Sequence, residues 1–173
     1  APPIFAQAAK ANLVYVAGST TVASGIVVPT GSPITEVAEL KGKKVAIAKG
    51  SSSHNLTVKA LAKHGLSFND IEPVYLAPAD AVAAFASGRV DAWTIWDPYF
   101  AIAETKHGGR PIATTDDEGL HGYSYYLANR DLAQKHPQVI SAVLEGLNEV
   151  SDWINAHRDE VVDMLTAVFA IVR

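Results

Sequence analysis

The sequence predicts an α/β fold, a mostly parallel sheet with helices on both faces, and three observations carry that expectation. Short β-branched apolar runs alternate with helical segments between residues 44 and 114, and crossovers of that length connect parallel strands. The 173 residues are 49% apolar and 18% charged, enough for a buried core and too hydrophobic for a disordered chain. The 12 glycines and 9 prolines punctuate the alternation and follow no collagen, heptad or solenoid period.

Residues 2–10 begin Pro-Pro and have helical composition, with no capping residue ahead of them. Residues 13–17 and 25–28 are short apolar runs ended by Gly18 and Pro29, the pattern of buried strands. Residues 44–48 form the next strand, followed by a helix over 53–64 closed at Gly65, a strand over 72–77 and a helix over 79–87 closed at Gly88. Strand 90–96 runs into Asp97 and Pro98, an N-cap acceptor and a favoured first helical residue. That helix reaches about residue 106, where Gly108 and Gly109 stop it. Residues 111–114 and 123–128 read as strands. Residues 131–158 are helical with an interruption at His136-Pro137, where proline favours a fresh start, and 159–170 are helical again. Within this region Ile140, Val143, Leu144, Leu147, Val150 and Ile154 recur at spacings of three and four. They define one apolar face, which needs something to dock against. Residues 167–173 are apolar and carry no helix stop signal.

Charge excludes some partners. The net charge is −4, and residues 113–173 hold four basic against ten acidic side chains, so no basic stripe is available for nucleic acid. No stretch approaches the roughly 20 apolar residues of a membrane span. The absence of cysteine removes thiolate nucleophiles, disulfides and cysteine-based metal sites. His64, His107, His121, His136 and His157 show no metal-ligand spacing and read as surface or loop residues. Lys41, Lys43 and Lys44 flank a turn at Gly42 and read as a solvated face. No metal and no cofactor is expected.

Two segments carry chemistry. In Lys44-Val-Ala-Ile-Ala-Lys-Gly-Ser-Ser-Ser-His-Asn-Leu, a strand passes through Gly50 and three serines into a helix. Glycine permits the sharp turn, and the first helical N–H groups and the hydroxyls of Ser51, Ser52 and Ser53 can face an anion. An ordinary N-cap serine in a β-to-α turn explains the same residues. The segment is neither a phosphate-binding P-loop, lacking its Gly-Lys-Ser/Thr ending, nor a nucleophile elbow, because Ser53 and His54 are adjacent. In the second segment, Trp96 and Asp97 end a strand at the edge where open α/β sheets bind ligands. Trp96 offers an apolar wall with one donor, while Asp97 suits either a helix cap or a ligand amine. Trp93, inside the strand, reads as core.

The runs Ile-Val-Val-Pro-Thr-Gly-Ser-Pro-Ile, Glu-Leu-Lys-Gly-Lys-Lys-Val-Ala, Lys-Gly-Ser-Ser-Ser-His-Asn-Leu, Pro-Ala-Asp-Ala-Val-Ala-Ala-Phe, Gly-Arg-Val-Asp-Ala-Trp and Ile-Trp-Asp-Pro-Tyr occur together and in order. They resemble the periplasmic aliphatic-sulfonate-binding proteins of ABC importers, whose nitrate- and taurine-binding relatives share much of the framework. The resemblance spans nearly the whole chain, to about Leu165. It implies a bilobed, type II-like periplasmic-binding-protein fold that closes on its ligand about two crossing strands, here residues 25–29 and 123–129. Residues 33–112 would form one complete lobe, and residues 1–32 and 113–173 part of the other.

The sulfonate would lie between the lobes, served by Ser51, Ser52, His54 and the Ser53 N–H, with Trp96 and Asp97 beside its organic tail. Asp97 suits a cationic tail, which keeps taurine among the implied ligands. The implied partner is an ABC permease in the inner membrane, and the implied location is the periplasm. Family members also carry a signal peptide and an N-terminal half-lobe, including a Gly-Asp motif, ahead of the position of Ala1. The resemblance therefore implies that the 173 residues are a fragment shortened at both ends. Two other classes are weighed against this reading. A desulfinase or thiamin-pyrimidine synthase on the same scaffold relies on cysteine, which this chain lacks, and a transcriptional effector domain would be expected with a helix-turn-helix or basic segment.

Overall fold

The computed structural model describes residues 2–20, 23–117, 119 and 123–169. The chain divides into two compact units, Val22–Gly122 and Pro2–Thr21 with Tyr123–Arg173.

The first unit is built on a five-stranded sheet. Its strands are β2 (Ser24–Val28), β3 (Lys44–Ile47), β4 (Glu72–Tyr75), β5 (Ala92–Trp96) and β6 (Arg110–Thr114), in the spatial order β4-β3-β5-β2-β6. Strand β3 pairs in parallel with β4 and β5, joined through α2 (Ser52–Lys63) and α3 (Pro78–Ala86) as the crossover argument predicts. Strand β2 departs from the mostly parallel expectation, because it lies between β5 and β6 and is antiparallel to both. All five of its residues are buried, so its backbone polar groups must be paired on both edges. This requirement also widens the unit to 22–122, beyond the 33–112 read from sequence, and places residues 25–28 inside the sheet.

Alternation along the strands sorts the core into two layers. Ile26, Val28, Val45, Ile47 and Ala92 point to one face, where Ala60 and Leu61 of α2 cover them together with Ile34, Val37 and Leu40 of the loop after β2. Val27, Ala46, Trp93 and Ile95 point to the other, under Ala81, Ala84 and Phe85 of α3 and Phe100 and Ala103 of α4 (Tyr99–His107). Helices thus cover both faces, as predicted. Trp93 is 1% exposed and packs between the rings of Phe85 and Tyr99, in keeping with its reading as core. Helix α4 starts one residue later than predicted, at Tyr99, with Pro98 in the capping position.

The second unit contains α1 (Pro2–Ala8), β1 (Leu13–Thr20), β7 (Tyr123–Asn129), α5 (Arg130–Lys135), α6 (Pro137–Ala156) and α7 (Arg158–Phe169). Strands β1 and β7 form an antiparallel pair with an irregularity between Tyr15 and Ala17. The Asn129 side chain caps α5 by accepting from the Asp131 and Leu132 N–H groups. On the apolar face of α6, Leu144 and Leu147 are half-buried while Val143 and Val150 are exposed. Position His121 and residues 170–173 lie outside the described residues.

Gly25 shows how tightly β2 is held. A β-carbon there would lie 2.5 Å from the Phe100 ring and 2.8 Å from the Ala113 carbonyl oxygen. Gly25→Ala should therefore destabilise the chain by about 1–3 kcal/mol, the usual range for overpacking, and urea denaturation measures the loss.

Candidate functional site

Because β3, β4, β5 and β6 run the same way and β2 runs opposite, one edge of the sheet gathers four strand C-termini and the β2 N-terminus. Ligands of open α/β sheets bind at this edge. The register pairs Ile47 of β3 with Thr94 of β5, so the Gly50–Ser53 turn and the Trp96-Asp97 pair follow neighbouring strands. A buried side-chain contact ties the two segments together: the Thr57 hydroxyl of α2 lies 2.9 Å from that of Thr94.

The serine-rich turn is organised by hydrogen bonds. Gly50 has φ +73°, the left-handed region that glycine enters without strain. Ser51 is the N-cap of α2. Its hydroxyl donates to the Ala48 carbonyl at 2.6 Å, lies 2.8 Å from the Ser53 hydroxyl and accepts from the His54 N–H at 3.4 Å. The single proton of the Ser51 hydroxyl is thus engaged with Ala48. The Ser53 side chain is fully buried beneath it, and Ser52 is exposed. The His54 ring accepts the Gly50 N–H at Nδ1 across 3.1 Å and packs against Phe68 and Tyr75, with centroids 4.8 and 5.9 Å away.

Some backbone donors of the turn are partnered and others are not. The N–H groups of Gly50, Ser51, His54 and Asn55 bond to His54 Nδ1, the Ala48 carbonyl, the Ser51 hydroxyl and the Ser51 carbonyl respectively. Among the described residues, the Ser52 and Ser53 N–H groups have no such partner. They lie in the first turn of a 12-residue helix, at the positive end of its dipole. Ser52 is exposed whereas Ser53 is wholly buried, so the Ser52 N–H is the unpartnered donor at the surface of this turn, a group of the kind that receives anions at helix N-termini.

Trp96 is half-buried against the cluster that contains Trp93 and Phe100. Asp97 Oδ1 accepts the Ala101 N–H at 3.2 Å, so the carboxylate still satisfies a helix N–H although Pro98 holds the capping position. Burial pushes the Asp97 carboxyl above its ordinary value, and the Ala101 hydrogen bond opposes the shift. Burial also raises Glu104, followed by the charge of Asp97.

Two residues at this edge escaped the sequence reading. Tyr75, at the end of β4, is 43% exposed, and the Lys49 ammonium sits 5.2 Å from its ring centroid. An aromatic residue closing a short strand at the ligand edge was the available signal for Tyr75. Lys49 gave none beyond its place before Gly50. Among the described residues, no group of three or more histidine or acidic side chains could hold a metal ion.

With this geometry in hand, comparison with known proteins is informative. Residues 17–167 match the model of the NMT1-like family. The chain belongs to that family. An Escherichia coli K12 protein named for aliphatic sulfonates binding is 46% identical over 98% of this chain and 54% of its own length. The solved periplasmic aliphatic sulphonate binding protein SsuA from Escherichia coli is 46% identical, with TM-score 0.87, over 99% of this chain and 56% of that one. The alkanesulfonate-binding protein SsuA from Xanthomonas axonopodis pv. citri, solved bound to MOPS, is 40% identical with TM-score 0.87, over 99% of this chain and 60% of that one. A desulfurization enzyme shares the fold alone, at 18% identity and TM-score 0.73 over 96% of this chain and 64% of that one. The chain spans about half the length of the curated relatives it matches.

Two predictions follow from the site's chemistry. Ser51→Ala removes the α2 cap and should lower stability by about 1 kcal/mol in urea denaturation. Asp97→Asn keeps an acceptor for Ala101 and removes the buried charge. Because the folded chain holds the Asp97 proton more tightly than the unfolded chain, the desolvation cost is absent below the ordinary value of 3.8 and grows as pH rises through the raised one. The stability advantage of the variant should therefore be near zero at about pH 3 and should reach a plateau by about pH 7. The Glu104 pKa, followed by NMR, should fall in the variant.

Proposed function

We propose that this chain is the ligand-gripping portion of a solute-binding subunit of an ABC importer. Its ligands are aliphatic sulfonates, and its place of work is the periplasm. The carrying observation is the unpartnered N–H of the exposed Ser52 at the start of α2, on the edge where the strand C-termini gather. A sulfonate is an anion at every physiological pH and presents three acceptor oxygens, so it suits fixed donors and needs no general base. On this reading Ser52 also offers its hydroxyl, Ser51 and His54 shape the turn, and Trp96 and Asp97 line the path of the organic tail. The Asp97 carboxylate favours tails that carry a cation, such as the ammonium of taurine. The unit 22–122 then corresponds to one lobe of a bilobed protein, and the second unit to part of the other. The partner is a permease in the inner membrane that receives the loaded protein.

Binding without chemistry is supported by the relatives that share high identity, which are named as binding proteins. The enzyme reading on the same scaffold calls for a cysteine, and this chain has none.

Ser52→Pro isolates the backbone contribution. Proline is favoured at the first helical position and lacks the N–H, and Ser51 already has the extended conformation, φ −89° and ψ −177°, that precedes proline readily. The variant should fold normally and bind an alkanesulfonate about 10- to 100-fold more weakly, matching the loss of one hydrogen bond to a charged group. Calorimetry with an alkanesulfonate, taurine, nitrate and sulfate, on this chain and on a version matched in length to its relatives, measures the effect. Silence toward every anion in both forms would overturn the proposal.

A further inference from the structure

His54 sits beside the anion-facing donors, and its ring could act there in two ways: by contacting the anion or by holding the turn. The geometry separates them. Nδ1 lies 3.1 Å from the Gly50 nitrogen and accepts its N–H, so this ring nitrogen carries no proton. The bond reaches from the first turn of α2 back to the glycine whose φ of +73° sets the direction of the loop. Phe68 and Tyr75 pack against the imidazole and restrict its swing. Without this acceptor the Gly50 N–H would be a competing donor, and the turn would lose one of the bonds that aim the Ser52 N–H.

We propose that His54 is a positioning residue that holds the anion turn through Gly50 in its neutral form and releases it on protonation. The inference rests on the anion-binding reading above. Protonation of Nδ1 would set an N–H against an N–H, which no hydrogen bond can satisfy, so the turn must rearrange. The charged and titratable groups facing the ring are few. Lys49, from the end of β3, holds its ammonium over the Tyr75 ring. Tyr75 comes from β4. In the 3₁₀ turn carrying Phe68, Asp70 is bonded to Ser67 and lies 4.0 Å from Lys41. The chemistry gives the pH dependence a diagnostic sign: a positioning histidine weakens anion binding when protonated, whereas a contacting histidine strengthens it through added charge.

The experiment is calorimetry with ethanesulfonate, a ligand that keeps its charge across the range, at about pH 8 and about pH 5. Affinity should fall about tenfold at the lower pH, the scale of one lost hydrogen bond. His54→Asn restores a non-titrating acceptor and should bind within about threefold of the parent at both pH values. His54→Phe keeps the packing without the acceptor and should bind about tenfold more weakly at both. Stronger binding at low pH, or a loss in the parent that persists unchanged in His54→Asn, would overturn the proposal. Amide hydrogen exchange at Gly50, measured without ligand, keeps the two readings distinguishable. Protection should be lost in His54→Phe and retained in His54→Asn, and equal protection in all three forms overturns the latch. If parent and variants, each matched in length to the relatives, bind neither ethanesulfonate nor any other anion while Gly50 follows this pattern, the sulfonate reading fails and the latch stands.

Discussion

Strand β2 is the constraint on which the first unit depends. Its five residues are buried, and peptide groups removed from water need partners. It finds them by pairing antiparallel with β5 on one edge and with β6 on the other. That double pairing draws the β5 end at Trp96 beside Ser24 and the β6 end at Thr114 beside Gly25, so the ligand edge is assembled around the β2 N-terminus. The absence of a side chain at Gly25 lets Phe100 of α4 pack close against the strand, which seats the helix that follows Asp97. The position of the Trp96-Asp97 segment is thus a consequence of its backbone pairing with β2, a strand far earlier in the chain.

The anion turn rests on the same economy of donors. A helix N-terminus presents four N–H groups without intrahelical partners, and here side chains occupy some of the donors while leaving others open. The Ser51 hydroxyl receives the His54 N–H, the His54 ring receives the Gly50 N–H, and the Ser52 N–H stays unpartnered at an exposed residue. The result is a small, directed patch of positive potential at the end of α2. Asp97, on the neighbouring strand end, adds a partly buried carboxylate. An anionic head and a neutral or cationic tail would match this distribution.

Much of the architecture was legible because it is written in local periodicity. Apolar alternation located every strand of the first unit to within a few residues, and Gly65, Gly88 and Gly108 marked helix ends. The crossover rule gave helices on both faces, and the fold sets α2 on one and α3 and α4 on the other. The direction of β2 was not legible, since an apolar five-residue run is compatible with parallel or antiparallel neighbours. Within the site, the three serines were recognised together, but their different roles were not. A hydroxyl that caps, one that is buried and one that is exposed look the same in a Ser-Ser-Ser run. The exposed face of α6 belongs with these limits: its pattern states that it is apolar, and nothing in the pattern names what covers it.

The sequence by itself determined the secondary structure, the lack of cysteine in these 173 residues and the presence of a glycine-serine turn between a strand and a helix, because these depend on residue identity and short-range spacing. Tertiary structure decided which N–H groups stay open, that the His54 ring faces Gly50, and that Trp96, Asp97 and Tyr75 share an edge with that turn. These are matters of pairing between distant segments. Each hydrogen-bond donor has several candidate partners along the chain, and only the folded arrangement selects among them.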